Sequence, residues 1–225
     1  MNIFEQAKKG IIPEEIKIVA KTESLSADDI MKDFVAGRIT IIKNPLRDIK
    51  PVGVGKGLRT KVNANIGTSP DLFDINTELE KLDAAVKAGA DAIMDLSTGG
   101  DLEFFRKKII EYSPLPLGTV PIYETAVRLS REKKSMKEMQ VQDFIDVVRI
   151  QAEAGVDFMT IHSGVTLESV QSLHSQKRIT GITSRGGSML AEWMKFNRCE
   201  NPLFEFYDDI LDILAEYGVI ISLGD

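Results

Sequence analysis

The 225-residue chain contains one cysteine, Cys199, so it has no disulfide framework and no multi-cysteine metal site. A lone thiol suits a reducing compartment, and a cytoplasmic location is expected. No apolar run approaches the roughly 18 residues that a membrane-spanning helix needs. The opening "MNIFEQAKKG" lacks the apolar stretch of a signal peptide. Positive charge is in short supply: 28 Lys and Arg against 34 Asp and Glu leave a net charge of -6. That balance argues against nucleic acid or an anionic membrane as partner. HExxH, CxxC and EF-hand patterns are missing. "GVGKG" at 53–57 lacks the glycine-to-lysine frame and the following hydroxyl residue of a phosphate loop. Cys199, in "NRCEN", has no nearby histidine to activate it as a nucleophile.

What remains is an ordinary soluble composition, 43% hydrophobic and 28% charged, with enough length for a substantial core. Residues 1–58 read as a helical N-terminal extension and connector. "PEEIKIVAKTE" places Pro13 at a first helical position with two glutamates behind it, and "SADDIMKDFVAG" opens on Ser26 as an N-cap. "RITIIKN" is a short strand and "PVGVGKGLRT" a glycine-rich connector. Residues 59–225 alternate short apolar strands with amphipathic helices. Strands are expected near 61–66, 91–96, 117–122, 157–162, 179–184 and 219–224. Helical spacing runs through "TELEKLDAAVKAGA", "VQDFIDVVRIQAEAG" and "LFEFYDDILDILAEYG".

An internal repeat supports this alternation. "KAGADAIMDLS" at 87–97 aligns without gaps to "EAGVDFMTIHS" at 153–163, and "AEYGVIISLGD" is a looser third copy. A repeated helix–glycine–strand unit points to βα units and a parallel sheet. Six strands in series favour a (β/α)8 TIM-type barrel with about six of its eight units present. Such a piece leaves its first and sixth strands unpaired, so an open, weakly stable or self-associating chain is expected.

The segments after the strands are polar: "NIGTS", "DLSTGGD", "YET", "HSG", "SRGG" and "LGD". In a barrel of this type the C-terminal rim carries the active site. "SRGGS" at 184–188 combines two glycines, a helix start and the fork donor Arg185, which suits a phosphate. A plain N-cap by Ser184 explains the same segment equally well when read alone. His162 shares strand parity with Phe158 and Thr160, while Met159 and Ile161 suit a helix layer. His162 is therefore expected to point inward near the rim, as a substrate or proton contact or as a structural residue. His174, in "QSLHSQK", reads as solvated. Trp193 and Met194 read as core. No tip offers the lysine of an aldolase.

The stretches "KVNANIGTS", "ADAIMDLSTGGD", "PLGTVPIYE", "GVDFMTIHSGV", "GITSRGGS" and "ENPLFEFYDDILDI…ISLGD" occur in an order and spacing that resemble the ThiC family of phosphomethylpyrimidine synthases. The resemblance covers almost the whole chain. It implies a (β/α)8 barrel and a radical S-adenosylmethionine enzyme, a carbon–carbon lyase that rearranges 5-aminoimidazole ribotide into the hydroxymethylpyrimidine phosphate of thiamine. It implies substrate contacts at Asn65, Met94, Tyr123, His162, Ser184, Arg185, Gly186 and Asp225, and a homodimer for the full-length enzyme. It assigns no catalytic residue.

The resemblance also implies S-adenosylmethionine, a 4Fe-4S cluster and zinc. The family pattern continues from "SLGD" into "GLRPG", two zinc histidines and a CxxCxxxxC, and none of these is in this chain. Three thiolates anchor such a cluster, so no metal is assigned to these residues. The chain alone is expected to be incomplete and inactive. Two alternatives stand beside this reading. One is the paralogous 5-hydroxybenzimidazole synthase, which uses the same ribotide in anaerobic cobamide synthesis. The other is an inactive truncated barrel that binds a phosphorylated ligand.

Overall fold

The computed structural model describes residues 2–175 and 179–224. Three helices come first: α1 (Ile3–Lys8), α2 (Glu14–Glu23) and α3 (Ala27–Val35). Pro13 sits at the N-cap of α2, one residue ahead of the expected place. Ser26 occupies the N-cap of α3 without a side-chain bond. An antiparallel pair follows, β1 (Ile39–Ile42) with β2 (Val52–Gly55). Ile16, Val19, Ile30, Phe34 and Ile41 bury against one another in a core of their own. The spacing of Ile16, Val19 and Ala20 puts one stripe of α2 into it.

The larger part is built on a five-stranded parallel sheet in the order β3 (Asn63–Ile66), β4 (Ala92–Asp95), β5 (Leu117–Thr119), β6 (Phe158–Ile161) and β7 (Ile220–Leu223). Helices α4 (Ile75–Lys87), α5 (Leu102–Tyr112), α6 (Pro121–Arg131) and α7 (Val141–Glu153) cross between the first four strands. Helices α8 (Leu167–Ser175), α9 (Arg185–Asn197), α10 (Pro202–Glu205) and α11 (Tyr207–Tyr217) lie between β6 and β7. Strand order follows chain order without reversal. Right-handed crossovers that all step in one direction put their helices on one face, which differs from the two-faced doubly wound arrangement. Central β4 and β5 are buried at every position. Edge strands β3 and β7 are the more exposed.

The register defines both faces. Asn65, Met94, Gly118, Phe158 and Ile220 form one row across the sheet. The alternate residues Ile66, Ile93 and Leu117 pack with Leu82 of α4 and Ile109 of α5. Gly118 is required by close approach: a Cβ there would lie 2.2 Å from the Phe158 ring.

The N-terminal end of the sheet is tied down by two aspartates at matching positions of the repeat. Asp91 accepts from Val62 N at 2.8 Å and pairs with Arg59. Asp157, with no exposed surface, accepts from Leu117 N at 2.8 Å and Asn44 N at 2.7 Å, and pairs with Arg47. Arg47 in turn donates to the carbonyls of Ile110, Ser113 and Leu115.

Three expectations are corrected. Val52–Gly55, expected to belong to a glycine-rich connector, form β2 and pair with β1. Residues 179–183 form bends and coil rather than a strand, and Ile179 is fully exposed. The reason is that β7 hydrogen-bonds directly to β6, pairing Phe158 with Ile220, and takes the place that a strand at 179–184 would need. The sheet thus holds five strands instead of six. The strand expected over 117–122 also ends at Thr119, because Pro121 opens α6 at its first position. "YET" therefore lies on the first turn of a helix. Gly118→Ala should destabilise the protein by about 1–3 kcal/mol through overpacking against Phe158, measured by urea denaturation.

Candidate functional site

The C-terminal ends of the strands bring most of the candidate residues to one rim. Asn65 and Met94 are register partners on adjacent strands. Asn65 is exposed and Met94 is buried in the main core. Tyr123, in the first turn of α6, packs at the margin of the same core. His162 follows β6 and is 5% exposed. Its ring lies flush on the α9 backbone, since a Cβ at Gly186 would meet the imidazole at 2.5–2.7 Å. Only glycine allows this approach, so "SRGG" does more here than start a helix.

Ser184 is the N-cap of α9, with Oγ accepting from Gly187 N at 3.1 Å. The simple capping role considered for it is therefore real. It leaves the N–H groups of Arg185 and Gly186 with no acceptor among the described residues. Arg185 is exposed and has no carboxylate partner among those residues. Its guanidinium carbon stands 5.4 Å from the centre of the Tyr123 ring. Free N–H groups, the positive end of a helix dipole and an unneutralised guanidinium converge at one place, and that arrangement attracts an anion. Asp225 and the side chain of His174 lie outside the described residues. Trp193 donates from Nε1 to Met139 O at 3.0 Å, and Met194 is buried, as expected of packing residues.

The sequence reading missed a buried polar network on the opposite face of the sheet, between β4 and β5 and helices α5–α7. Arg106 donates to Glu124 at 2.6 Å, and Gln151 donates to the same carboxylate at 2.7 Å. Thr119 Oγ1 donates to Gln151 Oε1 at 2.6 Å, and Arg128 joins Glu124 from the surface. Asp95 accepts from the Ser97 N–H and hydroxyl at 2.9 and 2.5 Å. Arg106 Nε lines a cavity of about 20 Å3 without a partner among the described residues. One water fits such a space. Asp95 and Ser97 line the same cavity as Arg106, Thr119, Tyr123, Glu124 and Gln151. Glu124 in "YET" and Asp95 in "IMDLS" signalled charge at the strand ends, but nothing local shows that they turn away from the rim.

Burial pushes the Asp95 carboxyl upward, and the Ser97 hydrogen bonds and Arg106 only partly oppose it. Burial also raises Glu124, but the Arg106 charge and the Gln151, Arg128 and Arg106 hydrogen bonds prevail and hold it below its ordinary value. The linkage signs are therefore opposite. The lowered Glu124 stabilises the fold above the ordinary carboxylate value of 4.5, and this contribution is lost as pH falls through its lower folded value. The raised Asp95 opposes folding when ionised.

The fold and site together define an α/β protein of singly wound parallel strands, with Tyr123, His162 and the start of α9 gathered at their C-terminal ends. Its relatives make the assignment specific. Residues 2–225 match the model of the Radical SAM ThiC family, and the chain belongs to that family. Over its full length it is 50% identical to a phosphomethylpyrimidine synthase of Thermodesulfovibrio yellowstonii, of which it covers 53%. It is likewise 50% identical to one of Methanocaldococcus jannaschii, again covering 53%, and 46% identical to one of Thermotoga neapolitana. The chain spans about half the length of these relatives. Its own residues do not fit an iron–sulfur cluster. Cys199 is the one cysteine, and the described residues include no group of three metal-ligating side chains.

Glu124→Gln leaves both arginines facing a neutral amide. It should cost roughly 3–5 kcal/mol at pH 7, the range for breaking a buried pair. The deficit should shrink as pH falls below 4.5, since the native carboxylate loses its advantage there. Asp95→Asn keeps an oxygen for Ser97 and should leave Tm at pH 7 unchanged or raised. Thermal unfolding of both variants across pH checks the contrast.

Proposed function

We propose that this chain supplies the substrate-binding face of an enzyme converting 5-aminoimidazole ribotide to the pyrimidine phosphate of thiamine. The names of its relatives support the thiamine product over the benzimidazole alternative. The reading rests on one observation: Arg185 at the start of α9, beside two backbone N–H groups, has no acceptor among the described residues, with Tyr123 and His162 against the same turn.

In this reading Arg185, Gly186 and Ser184 take the ribotide phosphate. The helix dipole and the guanidinium both favour a dianion. Asn65 presents amide hydrogen bonds to the ribotide, and Met94 forms an apolar wall beside it. Tyr123 and His162 contact its polar groups, and Asp225 matches a further contact of the family. The sequential parallel sheet is part of a (β/α)8 barrel, whose rim holds these residues. S-adenosylmethionine chemistry belongs with the cluster and zinc ligands, which we place in the half of the family's length that this chain does not span.

Arg185→Ala should weaken ribotide binding by roughly 1.5–3 kcal/mol, the range for a charged hydrogen bond. Isothermal calorimetry with the ribotide measures this, and equal affinity in both proteins would remove Arg185 from the phosphate site.

A further inference from the structure

We infer that Asn201 is the positioning residue that sets His162, acting through the loop that leaves β6. The inference deepens the reading above by naming what holds one of its proposed contacts in place. Asn201 is completely buried, at 0% exposed, in a part of the sequence to which no role attaches. Its side-chain amide is fully used. Nδ2 donates one hydrogen to His162 O at 2.7 Å and the other to Val165 O at 2.9 Å. Oδ1 accepts from Leu203 N at 2.9 Å, which makes Asn201 the N-cap of α10. The preceding Glu200 extends the grip. Its carboxylate accepts from Leu167 N, at the start of α8, at 3.0 and 3.2 Å, and from Asn201 N at 2.7 Å.

The loop after β6 is thus held at His162, Val165 and Leu167 by two consecutive side chains. A backbone carbonyl anchored at residue 162 fixes the peptide plane from which the imidazole departs. The ring then has little freedom, because Gly186 backs it closely and a Cβ at Gly224 would come within 3.1 Å of it. A tilt of the 162–163 peptide would drive the ring into the α9 backbone or out of its slot. Asparagine is specific to this task. Two carbonyls need two N–H donors from one buried group, and Leu203 N needs an acceptor on the same group. Aspartate has the same shape but would turn an oxygen toward both carbonyls.

The test uses the two histidines of the chain, His162 and His174, as separate reporters. Side-chain 15N histidine spectra are recorded for the parent, Asn201→Asp, Glu200→Ala and the core variant Ile210→Val, with His162→Gln used for assignment. Ribotide affinity is measured on the same samples. Asn201→Asp should shift or split the His162 ring resonances and weaken ribotide binding at least five-fold. Glu200→Ala should do the same to a lesser degree, and it carries the test if Asn201→Asp does not fold. Ile210→Val should lower Tm and leave the ring resonances in place. His162 resonances unchanged in Asn201→Asp and Glu200→Ala, despite a lowered Tm, would overturn the positioning role. Ring resonances that move with no change in ribotide affinity would uphold it and instead remove His162 from the substrate contacts.

Discussion

The structure depends on one buried carboxylate. Asp157 lies at the start of β6 with no exposed surface, and isolated there its charge would be untenable. It is tolerable because Arg47 pairs with it and the N–H groups of Asn44 and Leu117 donate to it. Satisfying that charge aligns β5 with β6 and draws the segment after β1 beneath the sheet. The Asp157 carbonyl also receives Ile220 N, so β7 is aligned from the same residue. Asp91 repeats the arrangement for β3 with Arg59. Removing one member of such a set strands the others.

The two ends of the sheet differ in how charge is matched. Charge is matched at the bottom, and it is also matched behind the sheet, where Glu124 gathers Arg106 and Arg128. At the rim Arg185 and the first N–H groups of α9 have no acceptor among the described residues. This is the arrangement that the proposed phosphate would complete. Gly118 and Gly186 serve the same economy of space, one letting Phe158 fill the inner face and the other letting His162 lie on a helix start.

Much of this was legible in the residues. The alternation of strand and helix, the parity that sends His162 and Met94 to one face, and the start of a helix at Ser184 all follow from period and capping chemistry. So does the repeat, which predicted that "KAGAD" and "EAGVD" would do the same work, although the aspartate's part in it was not foreseen. The segment 179–184 was misread because its β-branched Ile179, Thr180, Ile182 and Thr183 favour a strand, while Ile179 is in fact fully exposed. The end of β5 was misplaced because "VPIY" is apolar enough for a strand, yet Pro121 is better suited to begin a helix.

The sequence alone determined what each segment could be, because helix and strand periods and caps are settled by neighbours within a few residues. It also determined family, through long polar motifs that share order and spacing with known enzymes. Only the tertiary structure decided which strand pairs with β6, that Asp95 and Glu124 turn inward behind the sheet, and that Asn201 holds the His162 loop. These depend on hydrogen bonds between groups far apart in the chain, such as Asn44 N to Asp157 and Asn201 to His162 O. A buried polar group must find its partner wherever the fold brings one, and no local pattern records where that is.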